Sequence, residues 1–224
     1  MRSKVKYLSK TPGDCATNID ISKINNENEI KFIQWTSILE DTITNLQQSV
    51  EYYDEFITQY VLDSKIFTKF HSFLNHFLMS LCLVISVDIG KLYSSDNDLC
   101  LFKYFKFCTD NNDIFKNDIS NIIIKNRGLA AKLKTKYDTL FNTPRNKIYA
   151  HSDELLLKPN EVDKYISQVT MDDFKKFVEI SKEILSSIWF EYNQHKMCFR
   201  LKGYKDYKKL LRLMCAHCDE DYIS

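Results

Sequence analysis

EIKFIQWTSILEDTITNLQQSVEYYDEFITQY, residues 29–60, sets the architecture. Phe32, Trp35, Leu39, Ile43, Leu46, Val50, Tyr53, Ile57 and Tyr60 step by threes and fours, drawing one apolar stripe down a long helix. A stripe of this length belongs to a core-facing member of a helical bundle. After Asp63-Ser64 the design repeats with Phe67, Phe70, Leu74, Phe77, Leu81 and Val84, and Phe73, Leu78 and Ile85 add a second apolar face. This predicts a central helix buried on more than one side, ended by Gly90 and the polar run Ser94 to Asp98. Residues 99–108 predict a short aromatic helix in which Phe102, Phe105 and Phe107 alternate with lysines, best read as a cap on the bundle.

A further helix is expected from about Asp113 to Phe141, through Ile119, Ile122, Ile123, Leu129, Leu133, Tyr137 and Leu140, with a possible kink at Gly128. Thr170-Met171-Asp172-Asp173 is a capping-box-like start with acids in the first turn, opening a helix to about Tyr192 through Phe174, Phe177, Val178, Leu185, Ile188 and Trp189. Gly203 separates off a last amphipathic helix around 204–214. Only four Gly and three Pro interrupt 224 residues, so long regular elements should dominate. The expected fold is all-α: an antiparallel bundle of about four to six helices with a short C-terminal helical extension. Its parts are a polar N-terminal arm (1–28), the bundle (29–194) and a basic C-terminal extension (195–224).

The net charge of +1 names no partner, but its distribution is uneven. Residues 1–110 carry 11 basic and 14 acidic side chains, and residues 111–224 carry 20 and 16. Two stretches concentrate the excess: 116–147, with eight basic against two acidic, and 196–212, with seven against one. Such patches are what a polyanion-binding face needs, and equally what solvated lysine-rich helices look like. Seven cysteines, an odd number, with Cys82 inside an apolar run, fit reduced thiols in a cytoplasmic protein. The lysine-bearing start has no apolar core of a secretory signal. The longest apolar run, Phe77 to Val87, is 11 residues long against the roughly 20 that span a bilayer, so no membrane partner is expected.

Chemistry concentrates in Thr143-Pro-Arg-Asn-Lys-Ile-Tyr-Ala-His-Ser-Asp-Glu154. Thr143 and Pro144 mark a helix start, where free N–H groups and the helix dipole favour an anion beside Arg145. His151 adds a group that moves protons near neutral pH. The six-residue offset leaves Arg145 and His151 roughly 120° apart on a helix, so the two face each other poorly within one chain. A twofold axis would bring two of each into one cleft. On the residues alone, His151 also reads as a partly buried histidine at a helix end, and Arg145 as a salt-bridge partner of Asp153 or Glu154. The scarcity of arginine, five against 26 lysines, favours a task that needs a planar fork.

The run Arg145-Asn-Lys-Ile-Tyr-Ala-His151-Ser-Asp resembles the arginine-polar-spacer-histidine signature of the HEPN superfamily, and most nearly its abortive-infection U-type branch. Leu83 to Tyr93, as a long helix ending in a Leu/Val-Asp segment, and the short helix from Asp98 to Phe107 extend the resemblance over roughly residues 30–192. It implies a homodimeric, cytoplasmic, metal-independent endoribonuclease of defence or toxin–antitoxin type, with an antitoxin partner possible and no cofactor. It assigns Arg145 to the scissile phosphate, His151 to proton transfer and Asn146 to orienting the site. Lys147, Lys136, Lys134 and Arg127 are the RNA-binding candidates beside it. Some relatives carry a tyrosine two residues after the histidine as a nucleotidylation target; Asp153 stands there in this chain.

The rival reading is a helical module that grips RNA or a protein without cutting. A third is a zinc-bearing adaptor using His195, Cys198, Cys215 and Cys218, whose spacing resembles a four-ligand site but straddles an expected helix. No metal is the favoured expectation.

Overall fold

A computed structural model describes residues 21–62, 64–142, 169–195, 197–199 and 209. The described chain is all-helical, without a strand. After a 3-10 turn at Ile21–Lys23 come α1 (Glu27–Leu62), α2 (Ser64–Tyr93), α3 (Leu101–Asp110), α4 (Ser120–Tyr137) and α5 (Met171–Asn193). At a rise of about 1.5 Å per residue, α1 is roughly 54 Å long and is the longest of the described helices.

Side-chain pairs fix the topology. Phe56 of α1 packs on Phe77 of α2, so the two run antiparallel from their shared turn. Phe32 meets Trp189 and Tyr53 meets Phe174, so α5 also runs against α1. Asn126 reaches Ser187 while Lys136 reaches Asp173, which sets α4 against α5. The four long helices therefore alternate up and down, and α3 closes the end where α1 begins and where α2 and α5 finish.

That closed end is an aromatic cluster. The Phe32 ring lies 5.8 Å from Tyr104, 5.2 Å from Phe115, 6.3 Å from Trp189 and 4.9 Å from Tyr192, in a mixture of stacked, tilted and edge-on contacts that rings prefer. Burying each such side chain contributes about 1.5–3 kcal/mol, so this end anchors the fold. Two hydroxyl pairs inside the core have a fixed direction. Thr36 Oγ1 donates to the Phe32 carbonyl, so Tyr104 OH, 2.7 Å away, must donate to Thr36. Ser181 Oγ likewise donates to the Phe177 carbonyl and receives Tyr93 OH at 2.7 Å. Burial pushes both phenol groups to a higher pKa, so each stays a donor throughout the physiological range.

The expected stripe of α1 is buried at Phe32, Leu39, Ile43, Leu46 and Val50, and α3 and α5 lie where their sequences put them. Three expectations need correction. The fourth helix begins at Ser120 rather than near Asp113. Asn112 Oδ1 takes the Ile119 N–H and Asp118 Oδ1 takes the N–H and hydroxyl of Ser120, while Phe115 turns extended to enter the aromatic cluster. The Ser120 donors hold the Asp118 carboxyl below its ordinary pKa. From there α4 passes unbroken through Gly128, whose absent side chain would meet nothing within 4 Å, and it continues past Tyr137 as a π-turn, Asp138–Asn142. Second, of the two expected stops for α2 the polar run from Ser94 ends the helix and Gly90 does not: it carries on to Tyr93, because Leu92 and Tyr93 are fully buried, which outweighs the roughly 1 kcal/mol that a helical glycine costs. Third, α2 is buried on one side rather than on more than one. Its buried face is Leu74, Leu81, Ile85, Ile89 and Leu92, whereas Phe73 and Val84 are exposed. The segment Ser72–Tyr93 is long and apolar enough to cross a membrane by length and composition, with about a third of it buried here.

Candidate functional site

Arg145, Asn146, Lys147 and His151 lie outside the described residues. Their flanks are described. The chain leaves the described structure at Asn142, at the end of the π-turn, and re-enters at Val169, just before α5. The two flanks are joined directly, because Lys136 near the end of α4 forms a salt bridge with Asp173 in the first turn of α5. Tyr53 against Phe174 and Asp54 against Lys175 place this junction beside the far half of α1, at the end of the bundle opposite the aromatic cap.

The junction follows from local sequence. Thr170 is extended and caps α5: its hydroxyl accepts the Asp173 N–H at 3.3 Å, and Asp173 Oδ2 accepts the Thr170 N–H at 3.0 Å. That reciprocal pair satisfies two helix-end donors and positions the carboxylate with its other oxygen turned to Lys136. Burial pushes the Asp173 carboxyl up in pKa, but the Lys136 and Thr170 donors outweigh it and hold the group below its ordinary value. The capping box was legible in Thr170 and Asp173; the partner 37 residues upstream was not, since it depends on α4 lying against α5.

The described cationic candidates do not form one continuous face on α4. Arg127, exposed, and Lys134, seven residues later, share one flank, and Lys134 Nζ donates to Asp138 at 2.5 Å. Lys136 sits on the opposite flank with Lys125, which pairs with Glu183 of α5 at 3.1 Å. Two of the three described RNA-binding candidates thus already hold a carboxylate. Of the zinc candidates, His195 and Cys198 are exposed beyond α5, and Cys215 and Cys218 lie outside the described residues. Among the described residues no group of three His, Cys, Asp or Glu side chains is placed to hold a metal ion. The described cysteines 82, 100, 108 and 198 are free thiols, and burial raises the pKa of Cys82 and Cys108, which makes both poor nucleophiles.

Comparison with known protein families, with curated proteins and with solved structures finds no match. The functional reading therefore rests on the chain itself.

Proposed function

We propose that the protein is a metal-independent endoribonuclease of defence or toxin type. The observation that carries this reading is Arg145-Asn146 followed by His151, standing between two helices of an all-α antiparallel bundle whose flanks are clasped by Lys136 and Asp173. In the proposed reaction a ribose 2′-OH attacks the adjacent phosphorus while its proton passes to a base. The P–O5′ bond breaks, and a proton is delivered to the leaving O5′. The products are a 2′,3′-cyclic phosphate and a 5′-OH. His151 moves protons, Arg145 neutralises charge on the phosphorane, and Asn146 orients the two. Base and acid act on opposite sides of the phosphorus, so a site assembled from two chains supplies the second histidine. Lys147 and Arg127 are the proposed guides for RNA.

The test is cleavage of a mixed-sequence RNA in EDTA by the full chain, with His151→Ala and Arg145→Ala alongside. The expected result is activity in the wild type ending in cyclic phosphate, and loss of at least about 100-fold in each variant with an unchanged circular dichroism spectrum. Undiminished cleavage by His151→Ala would sink the reading. Salt-dependent RNA binding without any cleavage by the wild type would instead establish a binding module.

A further inference from the structure

Helix α4 differs from the other four in carrying no acid: from Ser120 to Tyr137 it holds Lys125, Arg127, Lys132, Lys134 and Lys136 and neither Asp nor Glu. Its buried side, Ile123, Asn126, Ala130, Leu133 and Tyr137, packs between its neighbours α2 and α5. At about 100° per residue the opposite side is an uncharged crest of Asn121, Ile124, Gly128, Ala131 and Thr135, all exposed and within an arc of about 80°. Cations border the crest in two rows. Lys125, Lys132 and Lys136 lie on the flank toward α5, and Arg127 and Lys134 on the other. Midway along, a Cβ on Gly128 would meet nothing within 4 Å, so the helix backbone itself is open to whatever docks there.

We propose that this crest docks double-stranded RNA, lying along the minor groove with one row of cations on each bordering phosphate strand. The proposal rests on the ribonuclease reading for the kind of polyanion and deepens it by naming a duplex as the substrate. Arg127 and Lys132 hold no carboxylate among the described residues, and the pair of Lys125 with Glu183 is exposed on both sides, so a phosphate replaces that carboxylate at little cost. Thr135 Oγ1 donates to the Ala131 carbonyl at 3.1 Å, which leaves its oxygen to accept from a ribose 2′-OH, and the Asn121 amide stands further along the same crest. The helix leads to the junction of α4 with α5, so a duplex laid along it reaches the flanks of the proposed site.

Three observations select this occupant over its rivals. Single-strand binders stack bases on aromatic side chains, whereas the one aromatic of α4, Tyr137, is buried, so this face grips phosphates and not bases. The major groove of a DNA duplex is about 8.5 Å deep and takes a helix that protrudes. Helix α4 is embedded between α2 and α5 along its buried side, and only the crest stands clear. Such a surface fits the wide, shallow minor groove of an RNA duplex, where Gly128 and Ala131 let the helix backbone come close and the 2′-hydroxyls are on display. The cores of protein contacts are rich in aromatic residues and poor in lysine, the reverse of this face.

The test is binding by the full chain carrying His151→Ala, so that cleavage cannot consume the probe. The probes are a paired RNA of about 20 base pairs, an unpaired RNA of the same length and the matching DNA duplex. At one fixed ionic strength the paired RNA is expected to bind at least about 10-fold more tightly than either of the others. Lys132→Glu should weaken that binding about 10-fold or more and flatten its salt dependence. Gly128→Leu should weaken it about 10-fold with an unchanged helical circular dichroism spectrum, because leucine favours a helix and has open space there. Lys103→Glu, on the exposed side of α3, should leave it as it was. No binding of paired RNA, equal binding of unpaired RNA or of the DNA duplex, or undiminished binding by Lys132→Glu or Gly128→Leu overturns the proposal. Failure of the ribonuclease reading shows separately, as a wild type that binds paired RNA in the expected way and cleaves none.

Discussion

Helices α2 and α5 carry the same kind of residue and do different things with it. In α5 the apolar side chains Phe174, Phe177, Val178, Ile184, Leu185, Ile188 and Trp189 are buried, with Phe190 exposed, and Asp172, Lys175, Lys176, Glu179 and Glu183 occupy the face turned to water. In α2 the residues from Ser72 to Val87 are uncharged all round, yet much of that surface is open. Apolarity alone therefore does not predict burial. A charged outer face tells a helix which side to bury, and α2 lacks one.

The sharpest way to break this contrast is to place a carboxylate on each helix. Leu185→Asp should abolish folding, since an unpaired charge in the core costs several kcal/mol. Leu83→Asp, although as large a chemical change, should retain the helical circular dichroism spectrum; equal losses in both variants would refute the contrast. Next in size is Trp189→Ala, which removes a ring packed on Phe32 and Tyr192 and should cost about 3–5 kcal/mol in urea unfolding. Phe73→Ala on the open face of α2 should cost under about 1 kcal/mol when measured in dilute protein.

At the junction of α4 and α5, Asp173→Asn should cost about 1–2 kcal/mol at neutral pH. The folded-state pKa of Asp173 is depressed, so its stabilisation is complete above the unfolded value of 3.8 and disappears as pH falls through the lower folded value. The stability difference between wild type and Asp173→Asn should therefore shrink below that pH, which denaturation midpoints between about pH 2 and 7 will show. The smallest effect is expected of Lys125→Ala, because its pair with Glu183 is solvent-exposed on both sides: under about 0.5 kcal/mol, and less in high salt.

The all-α class, the long first helix, the aromatic cap and the start of α5 were all legible, because each rests on local periodicity or on a capping pattern within a few residues. What escaped the sequence has one physical cause, dependence on distant neighbours. The passage of α2 through Gly90 is set by the space waiting for Leu92 and Tyr93, the late start of α4 by Phe115 finding Phe32, and the clasp of Lys136 by Asp173 across two helices. Thr36, Glu40 and Thr44 are buried on α1 although an apolar stripe cannot flag them. For the candidate site, the arginine and histidine come from the sequence, and the position of the flanks comes from the structure.

The two directed hydroxyl pairs bear on how the bundle avoids mistakes. Apolar side chains attract one another in many arrangements, so a helix coated with them can slide by one turn, about 5.4 Å, or swap neighbours at little loss. Tyr104 and Tyr93 oppose such a slip, because each bonds a hydroxyl on a facing helix whose own proton is directed to that helix's backbone. One pair ties α1 to α3 and the other ties α2 to α5. Together they work as alignment pins, and misregistered forms lose both cross-helix bonds, although Tyr104 keeps Cys108 of its own helix as a partner.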